Sequence, residues 1–323
     1  MRFLITGATG YIGGALARRL VSEGHEVRAL VRATSRLGDL EALGVDCLVG
    51  DILDRDSLQG PMERVDWVVH CAAELDLERP VAQMRRTNVE GSDNVAAAAL
   101  AAAVPRFLML SSVAAFGGSP KDRTPATDPP EVQHPLPTSY CITKHEGERA
   151  IDEWEARGLA VNVVYPSLVY GPPGKKRGAN VILRDVVLGR MPVMAGADRR
   201  VSWIYLDDLV DGLVRVIERA EPGRRYLMTG EARVLGEVVA EIAALAGARP
   251  PRVNLPVGLL KLLAPLVKRI YALRGYRAPL SPQIVRSIER NWWFDDSRTR
   301  EELDWNPRGL AEGLPPAIEF LRA

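Results

Sequence analysis

Tyr140 and Lys144 are the two side chains in this sequence best placed to transfer a proton. Residues four apart share one face of a helix, so both can act on one substrate. A tyrosine hydroxyl titrates near pH ~10, and a neighbouring ammonium is expected to lower its pKa. Ser112, at the exit of a predicted strand, can donate a hydrogen bond to a substrate oxygen. The three residues predict carbonyl–alcohol chemistry; the alternative for the pair is an exposed stretch of helix.

A glycine-rich turn near the start of the chain predicts a phosphate-binding site. Residues 3–5 form a short apolar run typical of a buried strand, and a helical pattern begins at Ala15. Between them Gly7, Gly10 and Gly13 recur every third residue. Glycine lets a pyrophosphate approach the backbone N–H groups and the positive end of the helix. Strand, turn and helix together predict a dinucleotide site.

The second predicted strand ends in Arg32, where a dinucleotide fold meets the adenosine ribose. A carboxylate at this place would hold the 2′-hydroxyl of NAD, whereas an arginine accommodates the 2′-phosphate of NADP. The acid is missing here, and Ser35 and Arg36 can add contacts. The sequence favours NADP over NAD, the alternative being that Arg32 is a solvated surface residue.

Composition excludes several other classes of protein. The 323 residues are 47% hydrophobic and 26% charged, with a formal net charge of +1, which predicts no nucleic-acid partner. Three cysteines without a CxxC pair predict neither a disulfide framework nor a metal site. The four histidines are scattered, and His70 is interpreted as a packed strand residue. No signal-peptide pattern or bilayer-length apolar run is seen, which predicts a cytoplasmic protein.

Alternating strand and helix patterns predict an α/β fold with a doubly wound, parallel Rossmann-type sheet. Residues 1–170 are predicted to form this dinucleotide-binding domain, to which residues 201–230 return. Residues 171–200 and 231–323 are predicted to form a smaller, mostly helical substrate-binding lobe.

The whole chain resembles the extended short-chain dehydrogenase/reductases, also called the NAD-dependent epimerase/dehydratase superfamily. The matching segments are residues 6–13, 50–52, 70–73, 88–91, 111–112, 140–144 and 165–166. Residues 27–32 and 294–298 look most like those of dihydroflavonol reductases, 3β-hydroxysteroid dehydrogenases and hopanoid-associated sugar epimerase-like proteins. The resemblance implies a triad of Ser112, Tyr140 and Lys144, with Lys144 also on the nicotinamide ribose and Asp51 on adenine. The full cofactor-binding set expected is Gly7, Thr9, Gly10, Tyr11, Ile12, Gly13, Arg32, Asp51, Ile52, Cys71, Ala72, Ala73, Asn88, Tyr140, Lys144, Tyr165 and Pro166.

One position departs from the pattern of the nucleotide-sugar enzymes in this superfamily. They usually carry a phosphate-binding arginine where this sequence, aligned through Asp208, has Val201. Arg199 and Arg200 are displaced by one or two residues, and a one-residue slip on a strand turns a side chain to the other face. A local bulge would restore the arginine. The departure weakens the nucleotide-sugar interpretation without excluding it.

Residues 255–274 are apolar yet interrupted by Lys261, Lys268, Arg269 and Arg274. Such a segment is too short to span a bilayer but can lie in the interface against anionic lipids. The alternative, which the sequence favours, is a helical lid packed on the substrate lobe. Either arrangement favours a lipophilic or aromatic substrate.

The function predicted is an NADP(H)-preferring oxidoreductase, also compatible with NAD(H), that interconverts a secondary alcohol and a ketone. The main alternative is a nucleotide-sugar epimerase or dehydratase with tightly held cofactor; a cofactor-binding protein without turnover is disfavoured by the complete triad. The partners expected are a small-molecule substrate, a membrane surface contacted peripherally, and a second copy of the chain in a homodimer.

Overall fold

A computed structural model describes residues 1–77, 79–119, 130–273 and 281–323. Twelve strands lie within these residues. They are β1 (Arg2–Thr6), β2 (Glu26–Val31), β3 (Asp46–Val49), β4 (Trp67–His70), β5 (Arg106–Leu110), β6 (Val161–Pro166), β7 (Leu168–Tyr170), β8 (Val193–Ala195), β9 (Arg200–Tyr205), β10 (Arg225–Met228), β11 (Glu231–Val234) and β12 (Val253–Leu255).

Seven of these strands form the main sheet, in the order β10-β6-β5-β4-β1-β2-β3. Every neighbouring pair in the sheet is parallel, and the central strands are short, buried apolar runs. The chain order reverses at β1, which has β2 on one side and β4 on the other. A crevice opens at the carboxyl ends of the strands at such a point, and ligands bind there in open α/β sheets. The predicted doubly wound parallel sheet is confirmed.

Helices cover both faces of this sheet. The α-helices are α1 (Tyr11–Ser22), α2 (Val81–Arg85), α3 (Gly91–Ala101), α4 (Ser139–Ala156), α5 (Asn180–Val187), α6 (Leu206–Arg219), α7 (Leu235–Ala246), α8 (Val257–Leu273), α9 (Pro282–Ile288), α10 (Ser297–Leu303) and α11 (Leu310–Arg322). Apolar side chains of α1 and α6 share one core cluster with strands of the sheet, and those of α3 and α4 share another. The alanines of α3 allow it to pack closely: Ala96 and Ala99 are fully buried.

The later part of the chain adds a second sheet, in the order β11-β9-β7. We predicted that residues 201–230 rejoin the main sheet. Of the two strands in that range, β10 does so beside β6, but β9 pairs with β7 and β11. The physical reason is that Val201 and Trp203 of β9 pack in a separate core with α5, α7 and α11. A third core cluster joins this second sheet to α5, α7 and α11.

Candidate functional site

The glycine turn lies between β1 and α1, as the sequence predicted. Gly7 has φ +74°, and a Cβ there would come within 2.7 Å of the Ala72 nitrogen, so no other residue fits without movement. A Cβ on Gly13 would lie 2.5 Å from the Gly7 carbonyl oxygen, which shows how closely α1 packs on the turn. Thr9 and Gly10 are exposed, and Ile12 is half-buried.

The amino end of α1 fits an anionic group. Its N-cap residue, Gly10, provides no side-chain hydrogen bond, and its first turn contains no acid. Backbone N–H groups of the first turn are therefore not capped by a side chain, and the helix dipole favours a negative charge beside them. On the opposite side, the half-buried Ala72 and Ala73 follow β4 with little side-chain bulk. These features suit the pyrophosphate of a dinucleotide.

Tyr11 connects this turn to the segment that follows β7. Its hydroxyl donates a hydrogen bond to the Gly171 carbonyl and lies 3.3 Å from the Asn180 side-chain nitrogen. Asn180 is fully buried and also donates to the carbonyls of Gly171 (2.6 Å) and Gly174 (3.1 Å). Asn180 could not be predicted from sequence, because no local pattern marks a residue whose partner lies 169 positions away.

The predicted adenosine side of the site lies on neighbouring strands. Arg32 follows β2 directly and is exposed, with its backbone nitrogen 3.1 Å from the Ser35 hydroxyl. Asp51, after β3, accepts a hydrogen bond from the Leu53 backbone at 2.9 Å, and Ile52 is half-buried beside it. Because β2 and β3 are adjacent parallel strands, Arg32 and Asp51 lie at the same edge of the sheet.

Asn88 is placed differently from its neighbours in the predicted set. It lies in a single π-helical turn, Arg86–Glu90, between α2 and α3 and is buried. Its side-chain oxygen accepts from the Glu74 backbone (2.7 Å), and its nitrogen donates to the Glu74 carbonyl and the Thr143 hydroxyl, both at 3.0 Å. The amide therefore ties the exit of β4 to α4. Its contact with a cofactor stays a prediction.

His70 is a core residue, as interpreted from sequence. Its ring nitrogens lie 2.8 Å from the Thr6 hydroxyl and 3.0 Å from the Ser92 hydroxyl. Burial lowers the pKa of His70 to about 3, and Lys144 nearby adds to the lowering, so the imidazole is neutral. Cys71, the next residue, is held as a thiol because burial raises its pKa to about 12.

The three predicted catalytic residues come together at the carboxyl edge of β5. The helix α4 begins after Thr138, whose hydroxyl accepts a hydrogen bond from the Cys141 backbone. This cap places Tyr140 in the first turn and Lys144 one turn later. Ser112 lies close enough to the Tyr140 hydroxyl to lower its pKa. Lys144 is 4% exposed, and its ammonium donates to the Leu110 carbonyl at 2.9 Å.

Burial controls the titration of both groups. It raises the pKa of Tyr140 to about 12, and Ser112 opposes the rise. The expected lowering of the Tyr140 pKa by Lys144 is therefore not found; the Lys144 ammonium is directed at a backbone carbonyl instead. Burial also lowers the pKa of Lys144 to about 8, against the charge of Glu148. At neutral pH the pair is a phenol beside an ammonium.

The end of β6 is buried rather than open. Tyr165 is fully buried, and its hydroxyl donates to a carboxylate oxygen of Glu148 on α4; Pro166, which ends the strand, is also buried. The Tyr165 hydroxyl is thus bound to α4, and its predicted contact with a cofactor stays a prediction. Glu148 was missed from sequence, although its spacing of four after Lys144 was a usable signal.

The position at which nucleotide-sugar enzymes carry a phosphate-binding arginine is occupied here by a buried apolar residue. Val201 lies in β9, opposite Arg233 of β11, and the two strands pair without interruption from Arg200 to Trp203. The bulge that would restore an arginine is thus not seen. Arg200 lies over the ring of Trp293, 5.2 Å from its centroid.

The predicted cationic segment forms α8, which among the described residues is buried along one side. Leu260 and Ala264 are buried against Val285 of α9. On another side Leu262, Leu266 and Leu273 are 76%, 56% and 81% exposed. Lys261 forms an ion pair with Glu289, and Arg274 lies outside the described residues. None of the helices formed by the described residues is long and apolar enough to cross a membrane.

Comparison with known proteins gives consistent matches. A family model described as the NAD dependent epimerase/dehydratase family matches residues 3–228. Sterol demethylase protein B of Methylococcus capsulatus is 29% identical over 100% of this chain and 98% of its own. UDP-glucose 4-epimerase of Mycolicibacterium smegmatis is 30% identical over 100% and 99%. The crystal structure of gox2253 superposes with a TM-score of 0.86 at 29% identity, covering 99% of this chain and 97% of that one.

Proposed function

We propose that this protein interconverts a secondary alcohol and a ketone. The chain belongs to the NAD-dependent epimerase/dehydratase family. It is therefore an NAD(P)-dependent enzyme of the extended short-chain dehydrogenase/reductase type. The observation that carries the proposal is the convergence of Ser112, Tyr140 and Lys144 at the exit of β5. These residues supply a hydrogen-bond donor, a phenol and an ammonium at one place.

The cofactor would lie along the carboxyl edge of the sheet. The first turn of α1 would hold the pyrophosphate, Asp51 the adenine and Lys144 the nicotinamide ribose. A bound nicotinamide cofactor supplies the hydride that distinguishes alcohol from ketone. Every remaining step belongs to side chains of the protein.

Tyr140 provides the proton in this mechanism. Because its pKa is about 12, the phenol stays protonated through the neutral range and can donate to the carbonyl oxygen of a ketone as that oxygen gains charge. Ser112 donates a hydrogen bond to the same oxygen and orients it. The Lys144 ammonium holds the backbone at the exit of β5 through its hydrogen bond to the Leu110 carbonyl. The protonation state at neutral pH therefore suits the reductive direction.

NADP(H) is the cofactor we propose over NAD(H). Arg32 is exposed at the carboxyl end of β2, where the adenosine ribose of a dinucleotide lies, and no acid occupies the place. A guanidinium binds a phosphate through charge-assisted, bidentate hydrogen bonds.

The substrate we propose is a lipophilic or aromatic ketone or alcohol. Val201 stands in place of a phosphate-binding arginine, which argues against a nucleotide sugar as substrate. The apolar surface of α8 favours a lipophilic substrate. One full-length relative is named for sterol demethylation, which agrees with this class. The second candidate is epimerisation of a nucleotide sugar, which is favoured by the full-length similarity to a UDP-glucose 4-epimerase.

Retention of the nucleotide separates the two candidates. A reductase must exchange its cofactor at each turnover, whereas an epimerase regenerates it and keeps it bound. The purified protein should therefore be free of nucleotide, and a panel of ketones should oxidise NADPH, followed by its absorbance. Protein that retains NAD through gel filtration and acts on UDP-glucose would favour the epimerase instead.

The exposed face of α8 is proposed to rest on an anionic membrane surface. Leu262, Leu266 and Leu273 recur at helical spacing, and Arg269 lies beside them. Such a helix lies in the plane of the interface, with its apolar side in the lipid and cations near the headgroups. Because Lys261 is paired with Glu289, fewer cations contribute than the sequence predicted.

Flotation with vesicles tests this placement. The protein should float with vesicles that contain phosphatidylglycerol at low salt, and less at high salt, because surface charges are screened. Vesicles of phosphatidylcholine alone are the control and should bind weakly. Absence of flotation in every condition would contradict membrane binding and favour the interpretation of α8 as a lid over the substrate.

A further inference from the structure

A carboxylate on α4 lies one turn beyond Lys144 and takes no part in the reaction described above. Tyr140, Lys144 and Glu148 follow one another at intervals of four residues, so they lie along one face of the helix. The Tyr165 hydroxyl donates to one oxygen of Glu148, and the Ser111 hydroxyl lies 3.5 Å from the other. A half-buried carboxylate with both oxygens engaged is held in one place.

Glu148 and Lys144 hold adjacent residues at the exit of β5. The Lys144 ammonium donates to the Leu110 carbonyl at 2.9 Å, and the Ser111 hydroxyl reaches Glu148. The next residue is Ser112, which lies close enough to Tyr140 to lower the pKa of its hydroxyl. Two successive turns of α4 therefore fix the backbone that carries the donor to the substrate oxygen.

We propose that Glu148 is a positioning residue, an inference that rests on the proposed function. It keeps Lys144 protonated and fixes the exit of β5, where Ser112 follows. It does so without contact with the substrate. Its effect passes through Lys144, whose charged ammonium makes the hydrogen bond to the Leu110 carbonyl that holds the exit of β5.

The groups around Lys144 support this role. Burial lowers the pKa of Lys144 to about 8, and the negative charge of Glu148 opposes that lowering. The end of β4 adds Cys71, a thiol with its pKa raised to about 12, and His70, a neutral imidazole. Neither of these is charged at neutral pH, so Glu148 supplies the opposite charge.

Other charges act on Glu148 itself. Burial raises its pKa, and Asp152 of α4 adds to the rise. The hydrogen bond from Tyr165, Arg225 of β10 and Lys144 all oppose it. Arg225 is shared with Asp152 at 2.6 Å and Glu155 at 2.7 Å, so much of its charge is directed away from Glu148.

The test measures the pKa of Lys144 directly. Protein labelled with ¹³C-lysine is titrated between pH 5 and 10 by NMR, and the Lys144 signal is assigned by its loss in Lys144→Arg. In Glu148→Gln the titration of Lys144 should move down by about one pH unit, because an opposite charge is removed at close range. A titration unchanged from that of the wild type overturns the proposal.

The control is Glu146→Gln, on the same helix. Glu146 lies on an outer face and pairs with Arg85 at 2.6 Å, so its loss should leave the Lys144 titration unchanged. An equal shift in both variants would show a general effect of α4 charge and would also overturn the proposal.

A measurement on the wild type covers the case in which Glu148→Gln does not fold. The Lys144 signal should show a second, smaller inflection above pH 4.5, where the raised pKa of Glu148 places its titration. A single-step titration counts against the proposal. No cofactor or substrate is present, so this result stands apart from tests of the reaction.

Discussion

The helices α4 and α8 depart from ordinary helix patterning in opposite directions. The first buries polar side chains against the sheet: Thr143 is fully buried and Lys144 nearly so. The second exposes leucines, among them Leu262 and Leu273. Soluble helices normally do the reverse, because unpaired buried charges and exposed apolar surface both cost free energy.

The two departures are stabilised differently. Three polar side chains of α4 have partners: Lys144 has the Leu110 carbonyl, Thr143 the Asn88 amide and Glu148 the Tyr165 hydroxyl. In the described part of the chain, no contact covers the exposed leucines of α8. Only its inner side is packed, through Leu260 and Ala264. We propose that the reaction lies on α4 and the encounter with substrate on α8.

Removal of the phenol from α4 is the largest change expected. Tyr140→Phe should lower turnover by about 10²–10⁴-fold, because a general acid is lost, while NADPH still binds. Turnover is followed by nicotinamide absorbance on the ketone that the panel returns. Tyr271→Phe, on α8, is the matched control and should be nearly neutral. Near-normal turnover of Tyr140→Phe would remove the reaction from α4.

A cofactor variant sharpens the comparison by testing a region outside both helices. Arg32→Ala should weaken NADPH binding by about 10- to 150-fold, since a hydrogen bond to a charged group is worth about 1.5–3 kcal/mol. NADH binding in the same variant is the control and should change little. Fluorescence titration of both nucleotides decides, and equal affinities of the unmodified protein for NADPH and NADH would leave Arg32 without this role.

Polar substitution on α8 is expected to have the smallest of the three effects. Leu262→Ser combined with Leu266→Ser should weaken binding to anionic vesicles roughly tenfold, because the apolar area that enters the interface is reduced. Tyr140-dependent turnover of a water-soluble ketone should be unaffected. Leu188→Ser, at an exposed leucine outside α8, is the control. Vesicle binding that survives the double substitution would place the contact elsewhere.

Local spacing predicted the parts of the site that depend on neighbours in sequence. The turn at Gly7, Gly10 and Gly13 and the pair on α4 are of this kind, because a helix fixes the direction of residues four apart. The partners of Tyr11 and Tyr165 could not be predicted, since they depend on how distant segments meet. The prediction of which sheet β9 joins was wrong for the same reason. Its strand pattern was clear from sequence, but its pairing partners were not.

His70 carries a consequence for acid stability. An unfolded histidine titrates near pH 6.5, whereas the pKa of His70 in the fold is about 3. Its contribution to stability is therefore fully present above pH 6.5 and is lost progressively as the pH falls toward 3, because only the unfolded chain takes up the proton. The loss amounts to at most about 1.4 kcal/mol per pH unit. Urea unfolding at stepped pH should show this slope, and His70→Gln should flatten it. A neutral imidazole between Thr6 and Ser92 thus makes the free energy of unfolding of the whole protein depend on pH.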